Sequence, residues 1–171
     1  PVMSIHPDGY DLLKTAIKLS SSSLPIETKL ERMLQSITDG FQSDRLLHLR
    51  PEAILKEGFL YRVAERRKPL WVDETTPFQE EGVLPEERDL LCSSFACIPL
   101  SDETSFQGIF YIGFSKGRKF SSGEVDLLLL LAKEIGAAIR NDQLHRVAEE
   151  TISELTALHE MGKVVASTLK L

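Results

Sequence analysis

The sequence has few of the cysteines, glycines and prolines that mark disulfide-rich, collagen-like and low-complexity proteins. Its 171 residues include 2 cysteines, 10 glycines and 8 prolines, too few for a disulfide miniprotein, a collagen-like repeat or a low-complexity chain. Cys92 and Cys97 lack the spacing of a zinc site, and the 4 histidines are scattered. We therefore expect no metal site, and we expect Cys97 to be a small buried residue of a strand.

Long apolar runs are missing as well. The longest run, from Leu127 to Ala132, is far shorter than the ~20 residues that span a bilayer, and no N-terminal run has the pattern of a signal peptide. The hydrophobic share of 42% is ordinary for a globular domain. These features predict a soluble, cytoplasmic domain that makes no membrane contact.

Basic charge is in deficit. The chain has 20 Lys and Arg against 26 Asp and Glu, a net charge of −6, which argues against nucleic-acid binding because that binding depends on neutralising phosphates. One cluster departs from this balance: Arg62, Arg66, Arg67 and Lys68. We expect a solvated helix face that the acidic stretch 73–89 balances.

Motifs of catalysis are also lacking. The sequence has no G-x-S-x-G, no phosphate-binding glycine loop and no H-E-x-x-H, so no nucleophile or base has a partner at a recognisable spacing. We expect no catalytic residues, and the sequence identifies no cofactor.

Periodicity predicts an α+β order of elements. Apolar stripes predict helices over 9–19 and 24–40, the first carried by Leu12, Leu13, Ala16 and Ile17. Strands are expected over 44–50, 70–72, 95–100 and 108–114, the last two forming an antiparallel hairpin with 109–114 as the central strand. A short helix is expected over 59–67, and a polar loop with room for one helical turn follows over 73–93.

The last helix is predicted to extend beyond its domain. Ser121 and Glu124 form a capping box, and a helix from there to about 160 would be ~55 Å long. Its distal half keeps an apolar stripe at helical spacing, which favours pairing with another helix over a frayed end. The stripe consists of Leu144, Ala148, Ile152, Leu155 and Leu158.

Four segments carry a resemblance to a known family. Residues 58–73 (GFLYRVAERRKPLWVD) are similar to a G-x-x-x-x-V-A-x-x-x-x-P-L-x-V-x-D pattern, and residues 94–100 (SFACIPL) to S-x-x-x-x-P-L. Residues 107–113 (QGIFYIG) are similar to an x-G-x-L-x-L-x strand, and residues 120–128 (FSSGEVDLL) to F-S-x-x-D-x-x-L-L. In this order the segments resemble the GAF domain. Residues 155–171 resemble the opening helix of a second one.

The resemblance implies a fold and a role. The fold is an antiparallel sheet with the N- and C-terminal helices on one face, short helices on the other, and a long C-terminal helix. Residues 9–145 would be the GAF domain, and 146–171 a connecting signalling helix with the start of a following domain. Bacterial domains of this kind sit in sensor histidine kinases, cyclic-dinucleotide enzymes, HD-domain phosphohydrolases and transcriptional regulators.

Two functions follow from the resemblance. The first is a sensory domain that binds a small, uncharged or aromatic ligand and signals to an output domain through its C-terminal helix. The second is a domain without ligand that acts as a dimerisation and signal-transmission spacer. Both imply a homodimer through the N- and C-terminal helices. Expected pocket residues are Trp71, Phe78, Phe95, Cys97 and Tyr111, for which core packing is the alternative.

The sequence departs from known GAF subfamilies at specific positions. Ser93 follows Cys92 and Ile98 follows Cys97, so the Cys-His pair that attaches bilin chromophores is missing. His159-Glu160 lacks the surroundings of a phosphoacceptor histidine. Only residues 44–57 separate the second helix from the 59–67 helix, where the family usually has two strands. Either a very tight hairpin forms at 50–52 or one strand is lost, and 53–55 suits a strand or a helical turn.

Overall fold

The computed structural model describes residues 7–169 of the chain. Its helices are α1 (Pro7–Ser20), α2 (Ile26–Phe41), α3 (Phe59–Arg66) and α4 (Ser122–Leu169), and its strands are β1 (Arg45–Leu49), β2 (Leu70–Val72), β3 (Ser94–Ser101) and β4 (Phe106–Phe114). Short 3₁₀ helices cover Pro51–Ala53 and Pro85–Leu90. The predicted order of helices and strands is confirmed, and α4 continues past its expected end at 160.

The strands of the described region form one antiparallel sheet in the order β1-β4-β3-β2. β4 is central, as predicted, and Tyr111 lies opposite Leu47 on one side and Cys97 on the other. The hairpin between β3 and β4 is closed by Asp102, whose carboxylate accepts the backbone N–H groups of Thr104 at 2.7 Å and Ser105 at 2.8 Å. Such an aspartate turn reverses the chain without a glycine.

The two faces of the sheet have different covers, as expected. Successive side chains of a strand point to opposite faces, so Phe95 and Cys97 share one face while Ala96 and Ile98 share the other. α3 covers the first face. Side chains of α2 and of the first part of α4 are fully buried in the core that covers the second: Met33, Ile37, Leu128, Leu131 and Ile135.

α1 packs on α2 through a close approach at Gly40. A Cβ atom at Gly40 would lie 2.9 Å from Cδ2 of Leu12, closer than van der Waals contact allows. Gly40 therefore lies within α2 and makes room for α1, and the expectation that it ends the helix is wrong. The helix ends one residue later, and Gln42 takes the left-handed conformation with φ 54°.

Residues 44–57 contain one strand, so the second strand of the usual hairpin is lost. β1 ends at Leu49, and Pro51–Ala53 forms a single turn of 3₁₀ helix. A proline fixes φ and suits the first position of a helical turn, which explains why the chain turns here instead of pairing. β1 is consequently an edge strand of the sheet.

The start of α4 confirms the predicted capping box. The Ser121 N–H donates to Oε1 of Glu124 at 3.2 Å, and the Glu124 N–H donates to Oγ of Ser121 at 3.2 Å. Oε2 of Glu124 also forms an ion pair with Arg118. These contacts satisfy N–H groups that have no partner inside the helix.

The chain divides into two compact units, one up to Ala138 and one from Ile139 onward. The second unit is helical through Leu169, and most of its large apolar side chains are exposed. Among the described residues, no helix combines the length and apolarity needed to cross a membrane.

Candidate functional site

The N-terminus of α3 is capped by a buried carboxylate, that of Glu87, from the 3₁₀ helix Pro85–Leu90. Glu87 is 3% exposed. Its Oε1 accepts the N–H groups of Phe59 and Leu84, and its Oε2 accepts the N–H of Leu60, each at 3.0 Å. The first N–H groups of a helix have no intrahelical partner and carry the positive end of its dipole. One side chain therefore fixes α3 to the loop that follows β2.

Gly58 makes this contact possible. It is the N-cap of α3 and offers no side chain of its own, and a Cβ atom there would lie 2.2 Å from Oε1 of Glu87. Glycine is required here for close approach, not for an unusual backbone angle. Glu87 was not predicted from the sequence, although Pro85 in the first turn and a glutamate two residues later are a helix-start pattern.

Three of the five expected pocket residues lie together and are buried. Phe95, Cys97 and Tyr111 share the face of the sheet under α3, with exposed fractions of 1%, 0% and 0%. Phe95 stacks on Tyr111 with ring centroids 5.6 Å apart. Phe78, a fourth, meets Phe95 edge-on at 5.3 Å and Phe59 of α3 at 5.4 Å. These rings fill the space between α3 and the sheet.

The fifth expected residue, Trp71, lies on the opposite face. It pairs with Ala96 in the register of β2 and β3, whereas its neighbour Leu70 pairs with Cys97. Its ring packs edge-on against Phe120 at 5.5 Å. The structure therefore does not bring all five side chains into one apolar pocket.

The polar atoms of the buried cluster are bonded or protonated. The Tyr111 hydroxyl donates to the carbonyl of Leu90, and burial raises the pKa of Tyr111. Burial, reinforced by the nearby charge of Glu87, raises the pKa of the Cys97 thiol as well. A thiol held in its neutral form is a poor nucleophile. In the described region, no cluster of three or more His, Cys, Asp or Glu side chains is placed to hold a metal ion.

An open groove lies beside the buried cluster, between α3, β2 and the loop that begins at residue 73. We call it the α3 groove; its volume is about 570 Å³, within the ~300–1,000 Å³ typical of small-molecule sites. Its apolar wall includes Val63, Leu70, Val72, Pro77 and Phe78. Trp71 also lines it, so two of the five expected pocket residues border this groove.

The polar wall of the α3 groove consists mainly of basic side chains. Arg62, Arg66 and Lys68 line it, with Glu81 as the single acid. Nη2 of Arg62 donates to the carbonyl of Glu81 at 2.8 Å. Gly82 follows with φ +81°, and a Cβ there would lie 2.4 Å from Nη1 of Arg62. The loop is thus closed onto Arg62 at a position that only glycine suits.

The residues expected to form a dimer all lie in α4, and all are exposed. Leu144, Ile152, Leu155 and Leu158 have exposed fractions of 57–63%, and Ala148 is exposed too. Leu144, Ala148, Leu155 and Leu158 fall on an alternating four- and three-residue spacing when Thr151 is included. This spacing is typical of the narrow apolar seam of a coiled coil.

Comparison with solved structures identifies the fold of the chain. No family model matches the sequence, and no curated protein matches it. Among solved structures, the GAF domain of a phosphoenolpyruvate-protein phosphotransferase from Coxiella burnetii aligns with a TM-score of 0.65 and 17% identity, over 82% of this chain and 97% of its own.

Two further solved structures of similar fold, an enzyme and a chromophore-binding domain, also align with the chain. Free methionine-R-sulfoxide reductase from Neisseria meningitidis, in complex with its substrate, aligns with a TM-score of 0.64 and 11% identity, over 80% of this chain and 91% of its own. The phycocyanobilin-bound GAF domain of a cyanobacterial phytochrome aligns with a TM-score of 0.63 and 14% identity, over 80% and 96%. At such identities the likeness concerns architecture, and the sheet order and layers described above agree with it. The chain therefore has the fold of a GAF domain.

Proposed function

We propose that this chain is a non-catalytic sensory domain that binds a small molecule in the α3 groove. The observation that carries the proposal is the groove itself, which combines an apolar wall, a polar wall and a volume of about 570 Å³. α3 is anchored by Glu87 and the loop by Arg62, so both sides of the groove are held by specific contacts. A preformed site of this kind binds at a lower entropic cost than a mobile one.

The proposal assigns no catalytic role to the buried thiol of Cys97. A GAF-fold enzyme exists among the structural neighbours, and thiol chemistry requires an accessible thiolate. Cys97 is completely buried, and its pKa is raised by that burial. His48, the histidine on the sheet, has its Nε2 engaged by the carbonyl of Gln107 at 2.9 Å.

We further propose that α4 transmits the signal in a homodimer. The first part of α4 is buried in the core, where Leu128, Leu131 and Ile135 are 0% exposed. The seam around Leu155 and Leu158 remains in water, and each large side chain left there forfeits roughly 1.5–3 kcal/mol. A parallel pair of α4 helices would bury the seam, and residues 146–171 would connect to a following output domain in a larger signalling protein.

α1 supports this dimer less strongly than the sequence suggested. Leu12 and Ala16 are buried within the monomer at 8% and 2% exposure, and Ile17 remains 46% exposed. Half of the expected stripe is therefore used to pack α1 on α2.

We place the protein in the cytoplasm because its two cysteines are unpaired, as is usual for proteins of reducing compartments.

A ligand-free spacer is the second candidate, and one observation favours it. The face of the sheet under α3 is filled by Phe59, Phe78, Phe95 and Tyr111, which leaves no room for a ligand directly on the sheet. The spacer would dimerise through α4 in the same way. The two candidates therefore differ in whether the α3 groove binds anything.

A thermal-shift screen with a blocking variant separates the two candidates. We expect some small molecules to raise the melting temperature of the wild type, because a ligand at a hundredfold excess over Kd adds about 2.7 kcal/mol. Gln79→Trp, at an exposed position lining the groove, should abolish these shifts. Gln143→Trp, at an exposed position of α4, should preserve them. Equal shifts in both variants would contradict the proposal, and no shifts at all would favour the spacer.

A further inference from the structure

The α3 groove has an excess of positive charge that the described residues do not neutralise. Arg62, Arg66 and Lys68 line it against one acid, Glu81. Arg62 bonds only to a backbone carbonyl. Arg66 and Lys68 are exposed, and the side chain of neither forms a hydrogen bond or an ion pair with any residue in 7–169. This excess lies in a chain whose net charge is −6.

The acidic stretch 73–89 forms no direct ion pair with these three cations. Glu87 is buried under α3 and bonded to backbone N–H groups. Asp73 accepts N–H groups from Thr75 and Thr76 in its own turn. Glu81 forms no ion pair within 4.0 Å of a described basic group. Arg66, Arg67 and Lys68 are exposed, in agreement with the expected solvated face, and any balance from this stretch acts without direct ion pairs.

The fold itself accounts for two of the three cations. A basic residue in the last turn of a helix interacts favourably with the helix dipole, which explains Arg66. Arg62 holds the loop through its bond to the Glu81 carbonyl, whereas Lys68, beyond the end of α3, has no such contact with a described residue. Three cations that line one concave site against a single acid point to a ligand of opposite charge.

Most of the remaining groove lining is apolar or aromatic. Phe78 is held edge-on against Phe59 and Phe95 at 5.4 and 5.3 Å, and Pro77 and Val72 lie beside it. Such a wall suits a flat apolar body. The groove therefore combines cations with an apolar and aromatic lining.

We infer that the α3 groove takes a small organic anion, in which a carboxylate or phosphate group is joined to a planar apolar body. This inference rests on the proposed function of the groove. The sequence suggested an uncharged or aromatic ligand; the inference keeps the aromatic alternative and replaces the uncharged one. Arg66 and Lys68 would bind the anionic group, and Arg62, fixed by the loop, would hold the cationic wall in place. Arginine and lysine together bind both carboxylates and phosphates.

Matched small probes test the charge requirement on the intact chain. Phenyl phosphate and benzoate carry the two anionic groups, and phenol is their neutral counterpart. Titrations at millimolar concentrations, followed by amide chemical shifts in NMR, should show that at least one anion binds and moves the signals of residues 62–82. Phenol should bind at least about fivefold more weakly, and added salt should weaken the anion's binding. The relative affinity of the two anions identifies the preferred group.

Variants assign the effect to the groove. Arg66→Gln and Lys68→Gln should each lower the affinity for the anion by about fivefold. Arg32→Gln, at an exposed arginine of α2 outside the groove, should leave the affinity unchanged. Binding of phenol as tight as that of both anions, with shifts in the groove, would overturn the inference and leave the proposed sensory function intact. Failure of every probe at the groove would overturn the inference, and a negative thermal-shift screen beside it would overturn both.

Discussion

Replacing Glu87 with glutamine tests the link between the 3₁₀ helix and α3. Glu87→Gln keeps the shape of the side chain and removes one acceptor oxygen together with the charge. The carboxylate accepts three N–H groups, from Phe59, Leu60 and Leu84, each at 3.0 Å. In the variant the carboxamide oxygen can still accept the N–H groups of Phe59 and Leu84. Its NH₂ group then faces the N–H of Leu60, which loses its acceptor.

The expected loss follows from these contacts. A buried N–H without a partner costs about 1–3 kcal/mol, and loss of a charge at a helix N-terminus costs roughly 0.3–1 kcal/mol. We therefore expect the free energy of unfolding to fall by about 1–4 kcal/mol, measured by urea denaturation with circular dichroism. That is a large share of the ~5–15 kcal/mol that stabilises a typical domain.

A neighbouring glutamate provides the control. Glu86 is exposed on the same 3₁₀ helix, so Glu86→Gln should change the free energy of unfolding by less than about 0.5 kcal/mol. If Glu87→Gln and Glu86→Gln were equally mild, the three hydrogen bonds would not hold α3, and the account of this anchor would be refuted.

Three further changes test other contacts. Gly58→Ala should destabilise by about 1–3 kcal/mol in the same urea assay, since its Cβ would lie 2.2 Å from the Glu87 carboxylate; a neutral result would show that this carboxylate can move freely. Leu155→Glu, at 60% exposure in the monomer, should weaken a dimer in analytical ultracentrifugation, whereas Ser153→Glu, about 200° around the helix, should not; equal effects would contradict the seam. Because burial raises the pKa of the Cys97 thiol, an alkylating reagent at mildly alkaline pH should modify Cys97 far more slowly in folded than in urea-unfolded protein, as peptide mass spectrometry can measure; equal rates would show that this thiol is accessible.

The sequence was sufficient for the layers of the fold because local patterns and tertiary packing agree there. The continuous apolar run in β4 predicts a central strand, and the Ser121–Glu124 pair predicts the start of α4. Gly40 shows the limit of local reasoning. Its position suits a helix end, but the side chain of Leu12, 28 residues earlier in the sequence, determines its role. A contact of that range is invisible in a local pattern.

The candidate site was predicted less well for a related reason. Trp71 and Phe95 are both apolar, and only the register of β2 places them on opposite faces of the sheet. From the sequence, Arg62 and Lys68 are predicted to lie on a solvated surface. Their place in the groove could not be predicted, because chain order does not show which acids of the stretch 73–89 lie near them. Glu87 could not be singled out from the sequence, because only its burial in the folded structure distinguishes it from the exposed glutamates nearby.

The central claim is that the α3 groove holds a small molecule, and native mass spectrometry of freshly purified protein tests it most directly. The account predicts that the wild-type chain carries an additional small mass that is lost on denaturation. Gln143→Trp should keep this mass, and Gln79→Trp should lose it. A wild-type spectrum with the polypeptide mass alone, or an adduct that survives in Gln79→Trp at the wild-type level, would contradict the claim.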